Sequence, residues 1–478
     1  MDKETRDVKA GKGRYGAVLP EWLESELDTV PDFDAFAGAE ELARLLEAVA
    51  AAHPDVATLR VVGESRQGEP LLCLTIGSPG PAEALVFGLP HPNEPIGGLT
   101  AVHLARRLCA DAQLRARLGH RWHVIACIDP DGLRLNEGWL RGPFTREHYA
   151  RHFYRPAGRD QIEWTFPLDY KDAHFDTPLP ETRALMRLID EHRPELVCSL
   201  HNSELGGVYY YLSRTEPALY PILQEVPERL GLPLHRGEPE APHIVRYADG
   251  VYRVGSIRRA YDRMAEQGQL WSGDSGDNTA SYASRHGALT LISELPYWID
   301  PTADDETPTG TSYAEALAGK AAAVAELAEV LQRGLDAVQA DLVTPDSPYW
   351  RATRFFAGLM ARTAESTAAR ARLPESDRPA TVAEVTTLAG DGHSFQLRYG
   401  GILLRGLDDE LAAGNRAEPI ARTRARTAAR YERWLAADPA SAYAVIPIRS
   451  LVATQYAATV ATAAHLAGPC GRGASRAE

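Results

Sequence analysis

Cysteine is scarce in this chain and follows no pattern. Only five of 478 residues are cysteine, at positions 73, 109, 127, 198 and 470, odd in number and without CxxC spacing. That argues against both a disulfide framework and a thiolate-built zinc site. Cys73, Cys127 and Cys198 fall inside apolar, strand-like runs, where a small buried thiol is the ordinary occupant. Long apolar runs are also lacking. The nearest candidate, Ile446 to Leu466, is interrupted by Arg449, Gln455 and several threonines, which makes it a packed helix rather than a membrane span. The opening residues Met1 to Arg6 are charged and contain no apolar core of a secretory leader. Nor is there a cationic surplus: 51 Lys and Arg against 65 Asp and Glu give a net charge of −14. General affinity for nucleic acid or an anionic membrane is thereby excluded, since neutralising phosphates takes clustered positive charge. These absences lead to the expectation of a cytoplasmic protein.

What is present is an ordinary globular balance, 44% hydrophobic and 24% charged, in a chain long enough for a large catalytic domain and a second unit. Leu59–Val62 and Leu71–Ile76 read as two strands joined by the Gly-bounded turn Gly63–Gly68, a hairpin. Strands at 84–89, 123–128, 196–200, 208–212 and 288–292 alternate with helices at 95–108 and 181–192. This pattern predicts an α/β fold with a mixed, largely parallel sheet flanked by helices. The polar stretch 301–311 marks a change of character, and the sequence beyond it is Ala-rich and helical. The expected division is a catalytic domain over 1–305 and a mainly helical C-terminal domain or extension over 306–478. Within the latter, helices are expected near 312–342, 350–372, 417–436 and 447–467, with a hairpin at His393–Tyr399. The alternating Arg and Ala of 421–430 read as a solvated helix face. The helical region is a candidate surface for homo-oligomer formation.

Four residues far apart in sequence carry the chemistry. His91 and Glu94 stand in the loop Leu89-Pro-His-Pro-Asn-Glu-Pro95, His201 in Leu200-His-Asn202, and Glu294 in Ser293-Glu-Leu295. Each follows a strand-like run, and in open α/β sheets ligands gather beyond the carboxyl ends of strands. Two imidazoles and a carboxylate are the donor set of a catalytic zinc with one position left for water. Glu294 is then the candidate base. The remaining histidines lack partners at comparable spacing.

These motifs resemble those of the carboxypeptidase A-like zinc peptidases, over roughly Leu42 to Trp298. Supporting segments are Val62-Gly-Glu-Ser-Arg-Gln-Gly-Glu-Pro70, Asp129-Pro-Asp-Gly132 and Glu181-Thr-Arg-Ala184. The resemblance implies a mixed sheet of about eight strands, Zn2+ held by His91, Glu94 and His201, and Glu294 as general base. It also implies an oxyanion-stabilising arginine after the Pro-Asp-Gly turn and close to a Trp, for which Arg141 is the candidate and Arg134 the second. Asn202 falls among the substrate-binding positions.

The resemblance fails where the family grips a substrate's terminal carboxylate with an Asn–Arg pair. Anchored on Phe166-Pro167, that pair falls on Glu163 and Trp164, and the aspartate orienting the first zinc histidine falls on Gln161. Arg155 and Arg159 are the arginines able to replace the clamp. The family's mobile substrate tyrosine falls near Gln269–Trp271, where no Tyr occurs. The expected activity is zinc-dependent hydrolysis of an amide bond in a small peptide or peptide-like metabolite. The alternatives are an amidase or deacylase with altered specificity, and a catalytically silent binding protein.

Overall fold

The computed structural model describes residues 19–80, 82–241, 243–266, 273–438 and 443–468. Its centre is a nine-stranded sheet. In chain order the strands are β1 (Ala57–Glu64), β2 (Pro70–Ile76), β3 (Glu83–Gly88), β4 (Arg121–Ile125), β5 (Leu196–His201), β6 (Tyr209–Leu212), β7 (Arg246–Ala248), β8 (Val251–Arg253) and β9 (Leu289–Glu294). They lie in the order β1-β2-β4-β3-β5-β9-β6-β8-β7. The middle four, β4, β3, β5 and β9, are mutually parallel; β1 and β2 form the expected antiparallel hairpin. β5 is buried at every residue and β3 and β9 at all but one. Continuous apolar runs of this kind belong to central strands covered on both faces.

Three early helices cover the sheet: α1 (Ala39–Ala52), α2 (Ile96–Ala110) and α3 (Pro180–His192). Five more follow: α4 (Tyr313–Val338), α5 (Pro348–Arg370), α6 (Val382–Ala412), α7 (Glu418–Ala437) and α8 (Ile448–Ala467). Four of these match the expected helices. The expected hairpin at 393–399 is instead the middle of α6. Its many glycines conceal the helix from propensity, and they serve packing. A Cβ at Gly401 would stand 2.5 Å from the Ala150 carbonyl oxygen, and one at Gly400 2.7 Å from the Trp434 ring. Tertiary contact has overridden local preference.

The last helix of the expected C-terminal unit returns to the sheet. Helix α8 is buried on nearly every side, as a helix without an amphipathic face must be. It packs against α2, β5 and β9, and one hydrophobic cluster joins it to the sheet and to α4–α7. A buried charge network adds to the join. Arg146 pairs with Glu204 at 3.1 Å and with Asp438 at 3.0 Å, and Arg398 of α6 pairs with Glu204 at 3.0 Å. Among the described residues no helix is long and apolar enough to cross a membrane. The segment Gln269–Trp271 and Cys470 lie outside the described residues.

Candidate metal centre

β3 ends at Gly88, and the chain must turn at once to begin α2. It does so through Leu89, held at a left-handed φ of 58°, a strained conformation for a branched residue. The turn is tight because Gly88 and Gly97 let backbones touch. A Cβ at Gly97 would stand 2.7 Å from the carbonyl oxygen of Leu200, the residue before His201. Close approach here draws the His91–Glu94 loop onto the end of β5. Tyr297 pins the loop by donating its hydroxyl to the Asn93 carbonyl at 2.7 Å. Parallel pairing of β5 with β9 places Glu294 directly beside His201.

The result is one cluster. Ligand atoms of His91, Glu94 and His201 all lie within 4.8 Å of one another, and all three residues are buried. His201 Nδ1 is 3.0 Å from Glu94 Oε2 and 3.8 Å from Glu294 Oε1. The Nδ1 of His91 is buried without a hydrogen-bond partner, and Glu94 Oε2 has no polar contact among the described residues but that with His201. Donor atoms converging from two imidazoles and a carboxylate, one of them orphaned, fit a zinc ion.

The surrounding contacts set the protonation of these groups. Burial lowers the His91 pKa well below its usual value, and Arg155 and His201 push it the same way, which leaves a neutral ligand. At His201 burial also acts downward. Glu94, Glu163 and Glu294 outweigh it and hold the imidazole well above its usual value. Glu294 is raised well above the carboxylate range, chiefly by burial and further by Glu240 and Glu94.

Glu163 does not stand open to substrate as the aligned segment suggests. It is 5% exposed, and both oxygens are occupied. Ser199 Oγ donates to one at 2.7 Å, and the Thr279 amide and hydroxyl donate to the other at 3.1 and 2.7 Å. Ser199 Oγ also lies 2.9 Å from His201 Nε2, and Glu163 itself lies 3.7 Å from that nitrogen. A proton on Nε2 can then be shared with Ser199 and Glu163, which leaves Nδ1 to face Glu94.

Gln161 does not orient His91. Its Oε1 accepts from Arg155 Nε at 3.1 Å and its amide donates to the Pro156 carbonyl at 3.0 Å. Arg155 in turn donates from Nη1 to Glu94 Oε1 at 3.0 Å and lies over the Trp164 ring. Trp164 meets His91 edge-on, with ring centroids 6.1 Å apart. Arg141 lies elsewhere, its side chain 75% exposed and paired with Glu41. Arg134 pairs with Glu69, and Arg159 donates to the Gly273 carbonyl. Asn202 lines the cleft beside His201, its Oδ1 accepting from the first amide of α2 at 3.3 Å.

The supporting turn motifs converge as well. Arg66 bridges Asp129 at 3.0 Å and Glu181 at 3.1 Å, so the Gly63–Gly68 turn, the Pro-Asp-Gly turn and the start of α3 are tied together. Sequence reasoning missed Gln455 of α8, whose side-chain amide donates to the His201 carbonyl at 2.9 Å. Its only sequence signal is a polar residue inside an apolar helix.

The centre opens into a cleft of about 730 Å³. One wall is the sheet end with Tyr209, Tyr211 and Ile292; the facing wall is helical, with Lys320, Phe355, Arg362 and Arg398.

Residues 42–237 match the zinc carboxypeptidase family model. Carboxypeptidase A from Helicoverpa armigera is similar in structure at 16% identity, covering 73% of this chain and 78% of its own, with a TM-score of 0.38. A metallo-carboxypeptidase from Burkholderia cenocepacia is similar at 18% identity, covering 54% of this chain and 59% of its own, with a TM-score of 0.32. No curated protein sequence matches the chain. Glu294 and the helices after it lie beyond the family match. Over residues 42–237 the chain is thus similar to the zinc carboxypeptidase family, which its motifs also resemble.

Proposed function

We propose that this protein hydrolyses an amide bond in a peptide or peptide-like substrate with zinc held by His91, Glu94 and His201. The observation that carries the reading is a buried three-donor cluster with Glu294 beside it in strand register, at the bottom of a cleft. Bound zinc supplies Lewis acidity and lowers the pKa of water toward neutrality. The remaining work falls to side chains. Glu294 takes a proton from the attacking water and delivers it to the departing nitrogen. The Arg155 guanidinium stands beside the Glu94 carboxylate, where it offsets charge developing on the carbonyl oxygen. This gives Arg155 the role the sequence suggested for Arg141. Ser199 and Glu163 hold His201 in the tautomer that presents Nδ1. A carboxyl group in register with His201 beside a three-donor site favours hydrolysis over a silent binding role.

The test compares zinc-loaded wild type with Glu294→Gln on a mixture of small peptides, read by mass spectrometry. Cleavage by wild type and a loss of about 10²–10⁴-fold in the variant, with zinc retained, is the expected result. Equal cleavage by both proteins would refute the role of Glu294.

A further inference from the structure

Four Lys and Arg side chains line the cleft: Arg155, Lys320, Arg362 and Arg398. Three are engaged. Arg155 pairs with Glu94 at 3.0 Å, Lys320 with Asp391 at 2.6 Å and Arg398 with Glu204 at 3.0 Å. Arg362 is half-buried and has no ion pair or hydrogen bond among the described residues. Of the acids that line the cleft, Glu240 accepts from the hydroxyls of Tyr209 and Tyr211, and Glu238 pairs with Arg370.

Helix α5 aims this guanidinium. Phe355, Leu359, Arg362 and Thr363 recur at helical spacing on the face that borders the cleft. Helical side chains lean toward the N-terminus, and position 358, one turn back, is glycine. A Cβ there would stand 3.3 Å from Arg362 Nη1, so the guanidinium lies back along the helix toward Phe355. Phe355 packs on Trp164 with centroids 6.3 Å apart, and Trp164 meets His91. Arg362 is seven residues beyond Phe355, roughly 10 Å along the helix axis. The cation therefore sits on the cleft wall farther from the metal centre than Phe355 and Trp164.

A partly desolvated guanidinium presents a planar fork of donors that matches a carboxylate. The apolar Phe355 and Leu359 on the same helix face strengthen that attraction by excluding water. We propose that Arg362 binds an anionic group of the substrate, so that the preferred substrates are acidic peptides or peptide-like amides. An extended chain rises about 3.3 Å per residue, so the anionic group lies at least two residues from the cleaved bond. This rests on the hydrolase reading above. It assigns recognition of a negative group to the helical region, beyond the family-matched segment.

The experiment uses the zinc-loaded full chain and a set of peptides that carry a single Glu, or Gln in its place, one to four residues from the cleaved bond. A Glu-over-Gln preference in kcat/KM of about 10–100-fold is expected at a distance of two residues or more, the range of one charge-assisted pair. It should fall to about one in Arg362→Ala and be partly kept in Arg362→Lys, with zinc content and circular dichroism unchanged. A preference that survives Arg362→Ala, or none in the wild type, overturns the proposal. If no peptide is cleaved, the hydrolase reading fails separately, and calorimetric binding of the same peptides decides. A Glu-over-Gln affinity difference lost in Arg362→Ala supports the site; equal affinities overturn it.

Discussion

Arg155 touches three parts of the centre at once: the Glu94 carboxylate, the Gln161 amide oxygen and the Trp164 face. Its fork geometry makes all three possible together, and an ammonium on a flexible stem cannot reproduce it. Arg155→Lys is expected to keep zinc and lower kcat by about 10²–10³-fold, the range for losing one donor to a developing oxyanion. Parallel metal analysis and steady-state kinetics check this, and normal kcat in the variant would remove Arg155 from the mechanism. At this scale the three donors and Glu294 are legible in the sequence because each ends a recognisable strand. The roles of Arg155, Glu163 and Gln161 are not, because the first precedes and the other two lie within short 3-10 turns (158–164) whose side-chain directions no periodicity fixes. A shift of one or two positions there exchanges a carboxylate facing substrate for one that backs a histidine.

Elements, rather than isolated residues, hold the four groups together. The β5–β9 register and the glycine contact between α2 and β5 bring separate strand ends within bonding distance. Strands and helices of the sheet region were readable from apolar runs and turns. Helix α6 was not, since its glycines answer to neighbours distant in sequence. Its C-terminal end is fixed by Glu410, which accepts from the amides of Val343 and Thr344 at 2.9 and 2.8 Å and from Asn415 Nδ2 at 2.7 Å. Burial alone would raise this carboxyl, but the hydroxyl of Thr344, Asn415 and the two amides bring its pKa down to about 2. A folded-state value below the unfolded one means stability that is present above about pH 4.5 and lost as pH falls toward 2. The contribution is about 1–3 kcal/mol. Glu410→Gln is therefore expected to lower the denaturant midpoint at pH 7 and to flatten the acid limb between pH 4.5 and 2. An unchanged acid limb would show that Glu410 does not carry that dependence.

At the scale of the whole molecule, the helices after residue 305 are part of the working protein. α8 supports the end of β5 from below through Gln455, and α4–α6 build the wall opposite the metal centre. The return of α8 to the sheet was not legible in the sequence, because burial on all sides leaves no periodic signature. A second group of potential ligands exists among the described residues, Glu83, His123 and His192. It is occupied by its own bonds: Glu83 to His123 at 2.8 Å and His192 to Arg60 at 2.7 Å. Arg60 and Arg121 act to lower both imidazoles, as does burial. Cations already in place disfavour a metal there. The central claim is thus one metal centre of three named donors. Elemental analysis of purified, zinc-equilibrated wild type and His201→Ala tests it most directly. The account predicts one zinc per wild-type chain and a loss of most of it in the variant; one full equivalent retained in His201→Ala would contradict it.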